Sequence, residues 1–158
     1  MFHSLYSQIG FVALFGSCAF AVWKGGPAER GGAALILCTW LGVTALQLVA
    51  KQYVLAVPFL LSDAILAAGL LILAVRYSSW WMGAAMLLQA IGLSFHAAYF
   101  NADKAEIDKY TLYFYVMGKN LSSAAMLLVL IVGTLSTLRA RSRAAGKAAP
   151  VIGERAAA

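Results

Sequence analysis

Five long apolar runs alternate with short polar breaks along the chain. They fall near residues 8–23, 33–50, 53–75, 80–100 and 111–138. A helix needs ~20 apolar residues to cross the hydrocarbon core of a bilayer. The ten-residue alternating strands of a membrane barrel are absent, and backbone groups in lipid must be satisfied within their own segment. The pattern therefore predicts an all-α integral membrane bundle of about five transmembrane helices. Residues 1–139 form the transmembrane domain and 140–158 a basic, mobile cytoplasmic tail.

The breaks carry their own signals. Gly25, Gly26, Pro27, Gly31 and Gly32 bracket the first connector. Lys51 and Gln52 end the second run, and Pro58 falls near the first turn of the third, where proline is tolerated. Arg76, Tyr77, Ser78 and Ser79 make a tight turn, and 101–109 is the one clearly polar loop. The fifth run exceeds what a bilayer requires, so its first turns lie at the interface or the helix tilts.

Composition agrees with this picture. The chain is 63% hydrophobic and 11% charged, with mean hydropathy +0.82. Soluble domains carry about 25% charged residues, and a surface this apolar in water would aggregate.

Charge sets the expected orientation. With the N-terminus outside, Lys24, Arg30, Arg76, Arg139, Arg141, Arg143, Lys147 and Arg155 fall on the cytoplasmic side. Lys51, Lys104 and Lys109 fall outside, and Lys119 is intramembrane, a ratio of eight to three that follows the positive-inside rule. No Lys or Arg precedes the first run, so it reads as a retained helix despite the Ala19-Phe20-Ala21 stretch. Trp23, Tyr77, Trp80 and Trp81 mark the inner interface, and Tyr6, Tyr53, Tyr99 and Tyr110 the outer. The tail cluster of Arg139, Arg141, Arg143 and Lys147 could attract anionic headgroups or nucleic acid. It reads as an orientation signal, with no nucleic-acid partner expected. The expected address is a bacterial inner membrane.

Candidate chemistry comes from residues that are expensive in lipid. Asp63, His96 and Lys119 are ionisable within the runs, and Gln47, Gln89 and Asn120 join them. Asp63 lies about ten residues into its run, ~15 Å deep at 1.5 Å per residue. Gln89, Gly92, His96 and Tyr99 share one helical face, as do Tyr115, Lys119, Ser122 and Ser123. These faces and Asp63 can converge on a polar pocket in the outer half, leaving an inner half of nearly pure hydrocarbon. The plainer reading is an Asp63–Lys119 pair that fixes helix register, or a Lys119 that snorkels.

Sharper chemistries lack their residue sets. Cys18 and Cys38 sit in apolar runs without metal-ligand spacing and read as small hydrophobes. His3 and His96 are the only histidines and would be a weak axial pair for haem, so no cofactor is expected. No catalytic motif is present, and one His with one Asp is not a catalytic constellation.

The stretch around Asp63, Trp80-Trp81, Gln89 and His96, with Gly133-Thr134 before the basic tail, resembles small, uncharacterised inner-membrane proteins of alphaproteobacteria. The resemblance covers roughly residues 20 to 143, and Lys119-Asn120 departs from that group's more apolar last span. It implies a membrane address and no activity. The expected function is therefore an accessory or interaction subunit that docks on another membrane protein or on itself. A small-solute, ion or proton transporter using Asp63, His96 and Lys119 comes second, and a membrane haem or cofactor carrier third.

Overall fold

The structure, a computed structural model, describes the backbone of residues 5–50, 56–101 and 109–155. Among these residues the chain forms five helices and no strand: α1 Leu5–Lys24, α2 Pro27–Ala50, α3 Ala56–Tyr77, α4 Trp80–Asn101 and α5 Lys109–Arg155. Four of them, α2 to α5, are long and apolar enough to cross a membrane, and α1 is a shorter apolar helix. This is the build of a multi-pass membrane protein.

Each helix packs on its neighbours in sequence, and α5 returns against α1 and also touches α2. The helices thus close into a ring. Cys18, Ala33, Leu70, Met82, Ala85 and Leu130 lie buried along its inner faces. Ile9, Val49, Val75 and Leu121 are exposed on its outer faces. A helix bundle that is apolar outside as well as inside matches lipid rather than water as its surroundings.

The breaks between helices follow from local chemistry. At Gly25 a Cβ would lie 2.3 Å from the Ala21 carbonyl oxygen and 2.7 Å from Glu29 Cβ, so only glycine fits the α1–α2 turn. Pro27 opens α2 at the first helical position, where its missing N–H costs nothing. Glu29, two residues on, turns back so that its Oε2 accepts the Gly26 N–H at 2.8 Å, one half of a capping box. The connector expected over 24–32 is therefore mostly helix, because Pro27 opens α2 and Gly31 and Gly32 lie within it.

Between α3 and α4, Ser78 adopts φ 46° while its N–H bonds the Ala74 carbonyl at 2.9 Å. That left-handed residue turns the chain back within two positions. α5 continues without a break to Arg155, so the chain leaves the expected fifth run as helix.

Trp81 is read from sequence as an interfacial aromatic, and the structure corrects this. It is buried at 2% exposure, whereas Trp80 and Trp23 are 63% and 74% exposed. Its indole lies on two glycines: a Cβ at Gly32 would meet the ring at 2.8 Å and one at Gly133 at 2.6 Å. Those glycines let α2 and α5 close over a side chain from α4.

Candidate functional site

The polar cluster is assembled by α3, α4 and α5. α4 turns Trp81, Ala85, Gln89, Gly92 and His96 onto one buried face, the helical repeat of three and four residues. His96 is fully buried. Its Nε2 lies 2.8 Å from Asp63 Oδ2, and its Nδ1 lies 2.9 Å from the Tyr115 hydroxyl. Lys119 Nζ donates to the same Asp63 oxygen.

Donor and acceptor roles follow from this arrangement. A carboxylate only accepts, so His96 Nε2 carries a proton and donates it to Asp63. In the neutral imidazole Nδ1 is then the acceptor, and Tyr115 O–H donates to it. The three groups form a directed chain, Tyr115 to His96 to Asp63, and Lys119 supplies the counter-charge at its end.

Surrounding residues fix this geometry. Gln89 Nε2 donates to the Asp63 backbone carbonyl at 3.0 Å, joining α4 to α3 beside the carboxylate. Ser122 Oγ donates to the Leu88 carbonyl at 2.9 Å, joining α5 to α4. A Cβ at Gly92 would lie 3.3 Å from both Lys119 Nζ and Ser122 Oγ, so glycine leaves the ammonium its passage. The Tyr99 ring stands 4.7 Å from the Tyr115 ring. Asp63 and Lys119 side chains are 16% and 17% exposed, so the far end of the chain reaches the surface of the bundle.

Other candidate residues are placed elsewhere. Asn120 is exposed and turns away from Lys119. Ser123 is exposed beside the buried Ser122. Gln47 is half-buried on α2. Arg139, Arg141 and Arg143 are exposed on α5. The side chain of Lys147 lies outside the described residues, as does the whole of His3. Both ring nitrogens of His96 are engaged, so axial ligation of haem would cost a bond to Tyr115 or Asp63. Among the described residues no three His, Cys, Asp or Glu side chains group as metal ligands.

A second carboxylate, fully enclosed, sits at the opposite end of the bundle, in the stretch that the sequence reads as a connector. Glu29 is 2% exposed. Its Oε1 accepts from Trp81 Nε1 at 3.0 Å and from Thr137 Oγ1 at 2.8 Å, while Oε2 takes the Gly26 N–H. One side chain thereby ties the α1–α2 turn to α4 and α5. Its hydrogen-bond partners are neutral donors, the positive end of α2 supports the charge, and the Arg141 guanidinium stands nearby, 3.4 Å from where a Cβ on Gly26 would sit. The signal was present as Gly-Pro-x-Glu, a helix start with Glu at its third position.

Comparison with known protein families, curated proteins and solved structures returns no match. The functional reading therefore rests on the geometry alone.

Proposed function

We propose that this is a five-pass protein of a bacterial inner membrane that moves protons, or a solute coupled to them, through the Asp63 cluster. In this reading the cluster lies in the outer half of the bilayer. Orientation is supported by charge. Lys24 closes α1, Arg30 opens α2, Arg76 closes α3, and Arg139, Arg141 and Arg143 follow on α5, all at the Glu29 end. Positive charge collects on the cytoplasmic side.

The observation that carries the reading is the directed chain from Tyr115 through His96 to Asp63. A clamp between helices needs only an opposite pair, and well-packed apolar residues serve that purpose as well. A fully buried imidazole with a donor on one nitrogen and an acceptor on the other adds a route for protons. Transfer of the Nε2 proton to Asp63 and of the Tyr115 proton to Nδ1 leaves the imidazole neutral in its other tautomer. A proton returned to the Tyr115 oxygen completes the step, so the net change is one proton gained by Asp63. Lys119 then loses its counter-charge, which couples protonation to the side-chain bridge that ties α5 to α3.

The accessory-subunit reading keeps one observation in its favour. Among the described residues every buried side-chain nitrogen and oxygen already has a hydrogen-bond partner, so the cluster needs no ligand to serve as a clamp. Reconstituted vesicles separate the two readings. The relay predicts that wild-type protein collapses an imposed pH gradient and that Tyr115→Phe and Asp63→Asn do not. A wild-type protein no leakier than empty vesicles supports the clamp and its accessory role.

A further inference from the structure

α5 packs on α4, α1 and α2, and one of its faces meets none of them. A shallow hollow of about 350 Å³ runs along that face, lined by Tyr113, Val116, Met117, Asn120, Leu121 and Ala124. Tyr113, Met117 and Leu121 are 59%, 55% and 71% exposed. Tyr113, Met117, Asn120 and Ala124 follow one another at spacings of four, three and four, the seam of a left-handed helix pair.

Asn120 is the one strongly polar side chain in this seam, and no partner for it is found among the described residues. It lies about ten residues into α5, ~15 Å from the start of the helix at 1.5 Å per residue. An amide facing hydrocarbon at that depth costs free energy until it is hydrogen-bonded. Lipid tails offer no donor or acceptor.

We infer that this face of α5 is the interface of a homodimer, with the two Asn120 amides paired across a two-fold axis. A second copy is the occupant that the chemistry favours. The amide carries both donor and acceptor and so complements itself, and a two-fold contact brings the same residue to both sides. Ala124, one turn on, lets the backbones approach closely. Asn120 also adjoins Lys119, so the interface backs directly onto the Asp63 cluster. The inference requires only that α5 lies in a bilayer and is independent of proton movement.

Oxidative cross-linking in native membranes tests it. In a background with Cys38→Ser and Cys18→Ala, single cysteines at Met117 and Ala124 are compared with those at Phe114 and Val132, which point about 90° away at 100° per residue. Disulfide dimers concentrated at 117 and 124 are expected. In parallel, energy transfer between labelled wild-type copies is followed on dilution with lipid. Asn120→Leu should weaken association about threefold to thirtyfold, the range for an intramembrane polar contact, and Asn120→Gln should retain it. Equal or negligible cross-linking at all four positions overturns the inference. So does a monomer at every dilution, or cross-linking of 117 and 124 only to a different membrane protein. Should Asn120→Leu fail to insert, the wild-type dilution series and the cross-linking pattern decide.

Discussion

The two ends of this bundle each hold a carboxylate between helices, half-buried at Asp63 and buried at Glu29, and they meet its charge by different means. At the Asp63 end the carboxylate meets an ammonium and an imidazole from two other helices. At the Glu29 end it meets an indole N–H, a hydroxyl and a backbone N–H. The Asp63 arrangement holds titratable partners and can change its protonation. The hydrogen-bond partners of Glu29 are neutral donors that do not relay a proton, set at a helix N-terminus that favours the anion. Burying a charge is costly in both places, but only the first can serve as a relay. The second reads as an anchor that holds the turn between α1 and α2 onto α4 and α5.

That contrast can be broken by substitution, most strongly at the ion pair. Removing one member of a buried pair strands the other, a cost of about 3–5 kcal/mol. This pair is 16% and 17% exposed, so Asp63→Leu alone is expected to lose about 3 kcal/mol, the low end of that range, in reversible unfolding from mixed micelles. Asp63→Leu with Lys119→Leu should recover most of the loss. A double variant no better than the single one would show that the two side chains do not compensate each other.

The anchor should respond to subtler changes. Trp81→Phe keeps most of the ring and removes one donor to Glu29, which costs about 1.5–3 kcal/mol for a hydrogen bond to a charged group. Gly133→Ala presses a methyl against the Trp81 ring and should cost about 1–3 kcal/mol through overpacking. Neither change touches the Asp63 cluster, so vesicle proton flux per folded protein should stay at the wild-type level. A selective loss of flux in either variant would mean that the two ends are coupled.

Tyr115→Phe sharpens the distinction between relay and clamp. Its stability cost is expected to be about 1 kcal/mol, one ordinary hydrogen bond, whereas its effect on flux is expected to be near complete. Equal modest effects on both would favour the clamp. The smallest expected effect lies at the α3–α4 turn. Ser78→Gly relieves a left-handed conformation at the expense of a freer unfolded chain. It should raise the unfolding midpoint slightly, by under about 1 kcal/mol in stability.

The same contrast governs what could be read from sequence. Asp63, His96 and Lys119 stand out because they interrupt apolar runs, and helical periodicity alone brings Gln89 and His96 onto one face. Their mutual contacts lie between helices and depend on how α3, α4 and α5 pack, which periodicity does not specify. Glu29 was hidden because it stands among glycines and a proline that resemble a solvated loop. Only the helix-start geometry at Pro27 places it inside. Trp81 was hidden for a related reason. A tryptophan beside a basic turn fits the interface, and only the close approach of Gly32 and Gly133 makes room for it within the bundle. The tautomer of His96 also needed three dimensions, because it is set by partners on two other helices.

The most direct test of the relay is proton flux into vesicles carrying a pH-sensitive dye, measured for wild-type protein and Asp63→Asn at matched insertion. The relay predicts that the wild type dissipates an imposed gradient at least about tenfold faster than Asp63→Asn, the factor that corresponds to ~1.4 kcal/mol in barrier. Wild-type vesicles indistinguishable from empty ones, or from those carrying Asp63→Asn, would contradict it.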